Sequence, residues 1–230
     1  MRAVEPINPF EQPEVAAAYD GWYDTPLGQV SDRLEKDLVY RLADPRPGER
    51  ALDVGTGTGH WACDLADRGL EVTGIDASES MLRAARAKNC RVTWKRADVE
   101  ALPFPDGAFD LVLSVTVLEF VRDPARVLAE MARVTAPGGR MVVGVLNARS
   151  SWAAARTREA QEHGGPFASA RFFAPNDLLP LLRRHGPTQW SSSVFIGPSG
   201  RGLLWADLLE SLGQRFARGR GALLVGRVDP

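Results

Sequence analysis

Gly55, Gly57 and Gly59 stand at alternate positions behind a short apolar run, Arg50–Val54, whose one acid is Asp53. Glycine lets a backbone approach a ligand closely and adopt positive φ. A helix over Trp61–Arg68 adds free N–H groups at its start. Two ligand chemistries suit such a turn. A dinucleotide needs G-x-G-x-x-G, so that its pyrophosphate meets the helix N-terminus. Here His60 takes the place of the third glycine of that pattern. A carboxylate at Asp53 would repel a pyrophosphate and attract an ammonium. A bare glycine turn is the third reading; three glycines, an upstream acid and a following helix weigh against it. Asp76 closes a second apolar run, Glu71–Ile75, about 20 residues beyond the turn, where an acid can accept both hydroxyls of a ribose. A cap or turn acid is the alternative. Asp98 and Glu100 follow a third run, Val92–Lys95, where a carboxylate or backbone N–H can read the edge of an adenine. Either acid alone suits a solvated loop equally well.

The other reactive side chains offer less. His60, His163 and His185 share no metal-ligand spacing, so no metal is expected. His163 lies in an insertion that could bring it to a pocket as a proton acceptor; a surface histidine is the alternative. Cys63 and Cys90 are too few and too separated for a metal cluster or a disulfide framework. Reduced, partly buried thiols in a cytoplasmic protein are expected. The 230 residues carry a net charge of −1, with 44% hydrophobic and 25% charged residues, which gives no general reason to bind nucleic acid or an anionic membrane. No apolar run approaches the ~20 residues of a membrane span. Met1–Phe10, with Glu5 and two prolines, does not read as a secretory signal.

An open parallel sheet would position these groups. Arg50–Val54, Glu71–Ile75, Val92–Lys95, Leu111–Thr116 and Arg140–Leu146 read as its first five strands. Leu111–Thr116 lacks polar alternation, as a strand buried on both faces does. Its end, Ser114–Glu119, should lie beside the glycine turn, where parallel sheets bind ligands. Asp123-Pro124 opens a helix with Leu128, Met131 and Val134 inward, and Pro137-Gly138-Gly139 closes it. Gln189–Ile196 and Ala222–Val228 supply the sixth and last strands. Val30, Leu34, Leu38 and Leu42 recur every fourth residue, as in a helix, and so do Leu204, Leu208 and Leu212. Arg215, Arg218 and Arg220 form a basic cluster, read as a solvated face. The predicted fold is α/β: a Rossmann-like, seven-stranded, mostly parallel sheet with the last strand antiparallel, helices on both faces and a small helical cap. Residues 1–42 form an N-terminal helical segment or lid, and 43–230 form the main domain, with cap insertions near 148–174 and 197–219.

Ala51–Ala62 resembles motif I of the class I S-adenosylmethionine (SAM) methyltransferases, an acid-x-G-x-G-x-G pattern whose acid helps orient the amino-acid end of SAM. Gly74–Leu82, the run Asp123–Leu146 and the segment Ala18–Gly28 extend the resemblance to the type 11, UbiE-like small-molecule methyltransferases, over about residues 15–187. The resemblance implies cofactor contacts from Asp53, Gly55, Thr56, Gly57, Gly59, Asp76, Ala77, Met81 and Ser114. Asp98 would accept from the adenine N6, with the Val99 N–H beside it. Tyr19 belongs to a segment that folds over the cofactor in relatives. Trp22, Tyr23, Trp152 and Phe172 would wall a pocket for a small, partly apolar acceptor. Many relatives carry a histidine after Leu-Glu near the end of the fourth strand. Here Leu118-Glu119-Phe120-Val121 puts Phe120 there, so that base is not available and the catalytic group stays unassigned. The implied chemistry is methyl transfer from SAM to a small molecule by one in-line displacement, without metal, leaving S-adenosylhomocysteine. A SAM-binding regulator without catalysis and an NAD-dependent oxidoreductase are the competing readings. The implied partners are a small-molecule acceptor and neither nucleic acid nor an inserted membrane, for a monomer or homodimer.

Overall fold

Alternation along the strands sorts the core into two layers. In β1 (Arg50–Val54), Leu52 and Val54 join one apolar cluster and Ala51 the other. In β4 (Phe109–Val115), Val112 joins the first, while Leu111, Leu113 and Val115 join the second. β5 (Thr135–Leu146) and β7 (Leu223–Val228) alternate in the same way. A sheet buried on both faces needs apolar residues in both phases. With β2 (Glu71–Asp76), β3 (Val92–Arg96) and β6 (Thr188–Ser193), the strands run in the order β3-β2-β1-β4-β5-β7-β6. β1 to β5 are parallel, and β7 is antiparallel to both of its neighbours. The predicted fold class is the observed one. This computed structural model describes residues 9–230; residues 1–8 of the proline-rich arm lie outside the described residues.

Eight α-helices dress the described sheet. On one face α2 (Pro26–Ala43) contributes Leu38, Val39 and Leu42, and α3 (His60–Asp67) contributes Trp61, Ala62 and Leu65. On the other, α5 (Pro124–Val134) and α7 (Pro175–Leu182) bury Leu128, Met131, Leu178 and Leu182. α5 starts as its sequence predicts: the Asp123 carboxylate accepts from the Ala125 and Arg126 N–H groups, and Pro124 follows at the first helical position. α4 (Glu79–Ala87) is capped by Ser78 Oγ, which accepts from Met81 N at 3.2 Å. A third, smaller cluster lies between the first half of α2, α6 (Ser151–His163) and α8 (Ala206–Phe216); it holds Leu34, Trp152, Val194, Ile196 and Ala206.

Two local expectations change. Pro137-Gly138-Gly139 is a kinked stretch inside β5, which begins at Thr135; the register with β4 shifts there. Cys63 and Cys90 are bonded as a disulfide, with Cα atoms 5.4 Å apart, so the expectation of reduced thiols is corrected. α3 packs against both β2 and β3, and this brings its Cys63 to the residue that leads into β3. Sequence separation said nothing of that crossover geometry.

The N-terminal segment is fastened to the sheet's carboxyl end. It comprises α1 (Pro13–Tyr19) and a 3-10 turn, Asp20–Trp22. Ser78 Oγ donates to Phe10 O at 2.7 Å and Ser80 Oγ to Glu11 O at 2.8 Å. Thr58 Oγ1 donates to Asp20 at 2.7 Å, and Lys88 pairs with the same carboxylate at 2.7 Å. These four hydrogen-bond and ion-pair anchors lie on the glycine turn or on α4 and its flanks, and Arg96 at the end of β3 adds an ion pair to Glu11 at 3.8 Å.

Candidate functional site

The carboxyl ends of β1, β2 and β4 open into a cavity of about 740 Å³. Gly55, Thr56, Gly57, Asp76, Ala77, Met81, Asp98, Val99, Tyr19 and Tyr23 line it. These are the predicted contacts from three strand tips and from the overlying segment, gathered in one space. The volume falls in the usual range for a small-molecule site.

The three glycines are needed for three different reasons. All have positive φ. At Gly55 an added Cβ would come within 2.4 Å of Val117, and at Gly59 within 2.5 Å of Trp94. At Gly57 nothing lies within 4 Å, so the space at that bare backbone is open. Gly57 is the position where a ligand can approach the chain closely. Gly59 does not line the cavity; it is the residue before α3 and packs against Trp94.

Two acids hold the turn. Asp76 accepts from Gly57 N and from Ser78 N, each at 2.8 Å, so one carboxylate joins the first turn to the start of α4. Burial pushes its carboxyl above the usual range, against those two N–H bonds. Asp53 is 2% exposed and accepts from Thr56 Oγ1 at 2.6 Å. Burial pushes the Asp53 carboxyl up to about 7; the Thr56 hydroxyl opposes this, and the nearby Asp76 charge adds to it. No lysine or arginine is among the groups acting on it. A buried carboxylate without its own cation suits a ligand that brings an ammonium. Asp53 lies behind Thr56 and is not itself part of the cavity wall. Asp98 is exposed and lines the cavity beside Val99, with Oδ1 accepting from Glu100 N at 2.8 Å.

The other end of the cavity departs from the sequence reading. Tyr23 lines it, stacked on His60 with ring centres 3.9 Å apart, and His60 bonds Asp32 at 2.6 Å. Trp22 and Trp152 do not line it. They pack edge to face at 5.7 Å, and Trp152 Nε1 donates to Ile196 O at 2.8 Å inside the third cluster. Phe172 lines a separate hollow of about 200 Å³ beside Phe167 and Thr157. His163 ends α6 with its side chain 74% exposed, next to Glu162, and is not in the wall. Ser114 is buried within β4, away from the wall. The cavity therefore does not bring these five side chains to its wall; for Trp152, Phe172 and His163, a residue in an insertion can face the cap or solvent as easily as a site.

Glu119 has no chemical role in the sequence reading, which weighs only the neighbouring histidine position. It lines the cavity yet is 2% exposed. Leu146 N donates to Oε1, whereas Oε2 has no partner among the described residues. Burial pushes its carboxyl up to about 7, with the Leu146 N–H opposing and the Arg156 charge acting more weakly in the same sense. Arg171, also in the wall, donates its backbone N–H to Glu119 O at 2.9 Å. Thr116, three residues earlier, lines the cavity with φ +56, a conformation that a β-branched residue adopts only under constraint. The one sequence signal is an acid just past a strand with a mostly apolar run, Leu111–Val115.

Residues 52–143 match the family described as a methyltransferase domain. A demethylmenaquinone methyltransferase of Renibacterium salmoninarum is 39% identical over 194 residues, which cover 84% of this chain and 75% of that protein. An uncharacterized protein of Mycobacterium tuberculosis is 35% identical over 74% of this chain, and the match spans 58% of its own length. Among solved structures, a SAM-dependent methyltransferase of Thermotoga maritima, described as a possible histamine N-methyltransferase, has a TM-score of 0.75 at 26% identity, covering 96% of this chain and 97% of that one.

Proposed function

The chain belongs to the SAM-dependent methyltransferase family, and from that premise we propose that it methylates a small-molecule acceptor bound at the Glu119 end of the cavity. The observation that carries this reading is the pairing of two unlike ends in one space. Gly57 and Asp76 line it at the tips of β1 and β2, and the buried carboxylate of Glu119, one oxygen of which has no partner among the described residues, lines it beyond the tip of β4.

SAM, when bound, supplies a methyl group already activated on a sulfonium, which an acceptor takes in one in-line displacement. Asp76 would hold the ribose hydroxyls, Asp98 and the Val99 N–H the adenine, and Asp53, through the turn, the ammonium. The task left to the protein is to place the acceptor, exclude water and receive a proton. Glu119 is in position for the last of these: ionised, its Oε2 can take the proton of a hydroxyl or amine as the new bond forms. A carboxylate with its affinity for protons raised to about 7 is a better base than a solvated one. Tyr19, Tyr23 and Phe120 offer apolar faces to an aromatic ring. A phenol or quinol, the class suggested by the name of the Renibacterium relative, meets both features. The segment ahead of α2 would act as the lid over this space, the remainder forming the main domain.

The test is transfer of labelled methyl from SAM to a panel of quinols, phenols and amines. The reading predicts turnover with at least one hydroxylated ring and its loss in Glu119→Gln. Turnover with amines alone would reassign the acceptor. Binding of S-adenosylhomocysteine with no turnover on any class would favour a SAM-binding regulator.

A further inference from the structure

Six large apolar side chains are exposed among the described residues, and five of them lie between Leu204 and Phe216. Leu204 is 97% exposed, Phe216 75% and Trp205 65%, with Leu208 and Leu212 about half exposed. Leu204, Leu208, Leu212 and Phe216 recur at every fourth residue, so they form one stripe along the turn Leu203–Trp205 and α8. The helix is apolar on the wrong side. The residues it turns to the sheet are Ala206, Leu209, Glu210 and Gly213. At Gly213 an added Cβ would lie 2.2 Å from the Phe195 ring, so a larger residue there would displace that ring.

That orientation is locked. The Glu210 carboxylate accepts from Val194 N at 2.9 Å and Phe195 N at 3.3 Å, and Gln214 Nε2 donates to its other oxygen at 2.8 Å. Arg41 on α2 holds Gln214 in turn, at 2.8 Å. The helix cannot roll its leucines inward without giving up these bonds, so an exposed stripe of this size calls for a partner.

The charges around the stripe select that partner. Arg201 precedes it, and Arg215, Arg218 and Arg220 flank or follow its far end, all exposed. The acids are neutralised or turned away: Asp207 pairs with Arg33 at 2.8 Å, and Glu210 is buried. This patch is basic in a chain whose net charge is −1. A second copy laid antiparallel on α8 would set Arg201 against the arginines at the other end, twice over. A leucine-rich helix with an exposed tryptophan and flanking arginines suits an anionic lipid surface, where the apolar face enters the headgroup boundary and the guanidinium groups meet phosphates. We propose that the outer face of α8, with the turn Leu203–Trp205, docks this protein on an anionic bilayer. β6 and β5 both run antiparallel to β7, so β6 is parallel to β5 and the loop into α8 leaves the sheet at the end that carries the cavity.

The test is co-sedimentation of the full chain with vesicles of phosphatidylcholine, alone or mixed with phosphatidylglycerol, beside sedimentation velocity without lipid. The proposal predicts binding to the mixed vesicles and little to the neutral ones, weakened by added salt. Leu208→Ser with Phe216→Ser should lower the bound-to-free ratio at least about tenfold. Arg215→Gln with Arg220→Gln, which touches no apolar contact of the core, should also lower it. No binding to the mixed vesicles overturns the proposal, and so does binding that survives both double variants. A lipid-free dimer that the serine variant dissociates, without vesicle binding, would assign the stripe to a second copy.

Discussion

The two ends of the cavity are built by different means. At the proposed cofactor end each group sits at a strand tip inside a short motif: Asp53 near the end of β1 and Gly57 after it, Asp76 at the end of β2, Asp98 after β3. Hydrogen bonds among neighbours fix them, as when Asp76 bonds Gly57 and Ser78. At the proposed acceptor end the wall comes from segments far apart in the chain: Tyr19 and Tyr23, Glu119 and Phe120, Ser169 and Arg171. What makes Glu119 notable there is burial without a full set of partners. Burial raises carboxyls at both ends, but only the first end is written into motif spacing.

Substitutions at the two ends should therefore differ in kind. The largest effect belongs to Glu119→Gln, which keeps the shape and the bond from Leu146 N but cannot take a proton. We expect kcat to fall about 10²–10⁴-fold with the SAM dissociation constant unchanged, measured by single turnover and calorimetry. A shared loss of kcat and affinity would erase the distinction between the ends. Next, Asp76→Ala should weaken SAM binding at least about tenfold, since charge-assisted hydrogen bonds at a buried site are worth ~1.5–3 kcal/mol each. Its kcat at saturating SAM should change far less.

A smaller and more specific effect concerns Asp53. Free, its carboxyl is pushed up to about 7 and is partly protonated at neutral pH. A ligand ammonium would favour the ionised form, so binding should release protons near pH 7. Calorimetry in buffers of different ionisation enthalpy would count them. Asp53→Asn should abolish the release; an equal release in that variant would place the proton source elsewhere. The smallest effect is expected of Trp152→Phe. Its indole N–H is bonded to Ile196 O and not to the cavity, so losing it should cost ~1–3 kcal/mol of stability and leave KM for the acceptor unchanged. A raised KM would return Trp152 to the substrate wall.

The same contrast explains what the sequence could tell. The mostly parallel seven-stranded sheet, the antiparallel last strand and the grouping of the glycine turn with the strand-end acids were legible because glycine spacing and apolar runs act through local backbone geometry. The packing of Gly59 on Trp94 is not legible in the motif, because Trp94 lies on β3, about 35 residues away. The Cys63–Cys90 bond was missed for a like reason, since it depends on where α3 lies across β2 and β3. Trp152, Phe172 and His163 were placed by residue type alone, and type does not say which way an insertion faces. The stripe Leu204–Phe216 carried a clear helical rhythm, yet periodicity marks a face without naming what covers it.

The most direct test of this account is the pH dependence of methyl transfer at saturating SAM, in the wild type and in Glu119→Gln. Burial raises the Glu119 carboxyl from 4.5 to about 7. As a base it must be ionised, so the wild-type rate should fall about tenfold per unit below pH 7 and level off above it. Folding stability should run the other way: the contribution of this group is complete below 4.5 and is lost as pH rises through 7, so Glu119→Gln should melt higher than the wild type at pH 8. The account predicts a sloping acid limb in the wild type and a flat, low profile in Glu119→Gln. An acid limb that persists unchanged in the variant would contradict it.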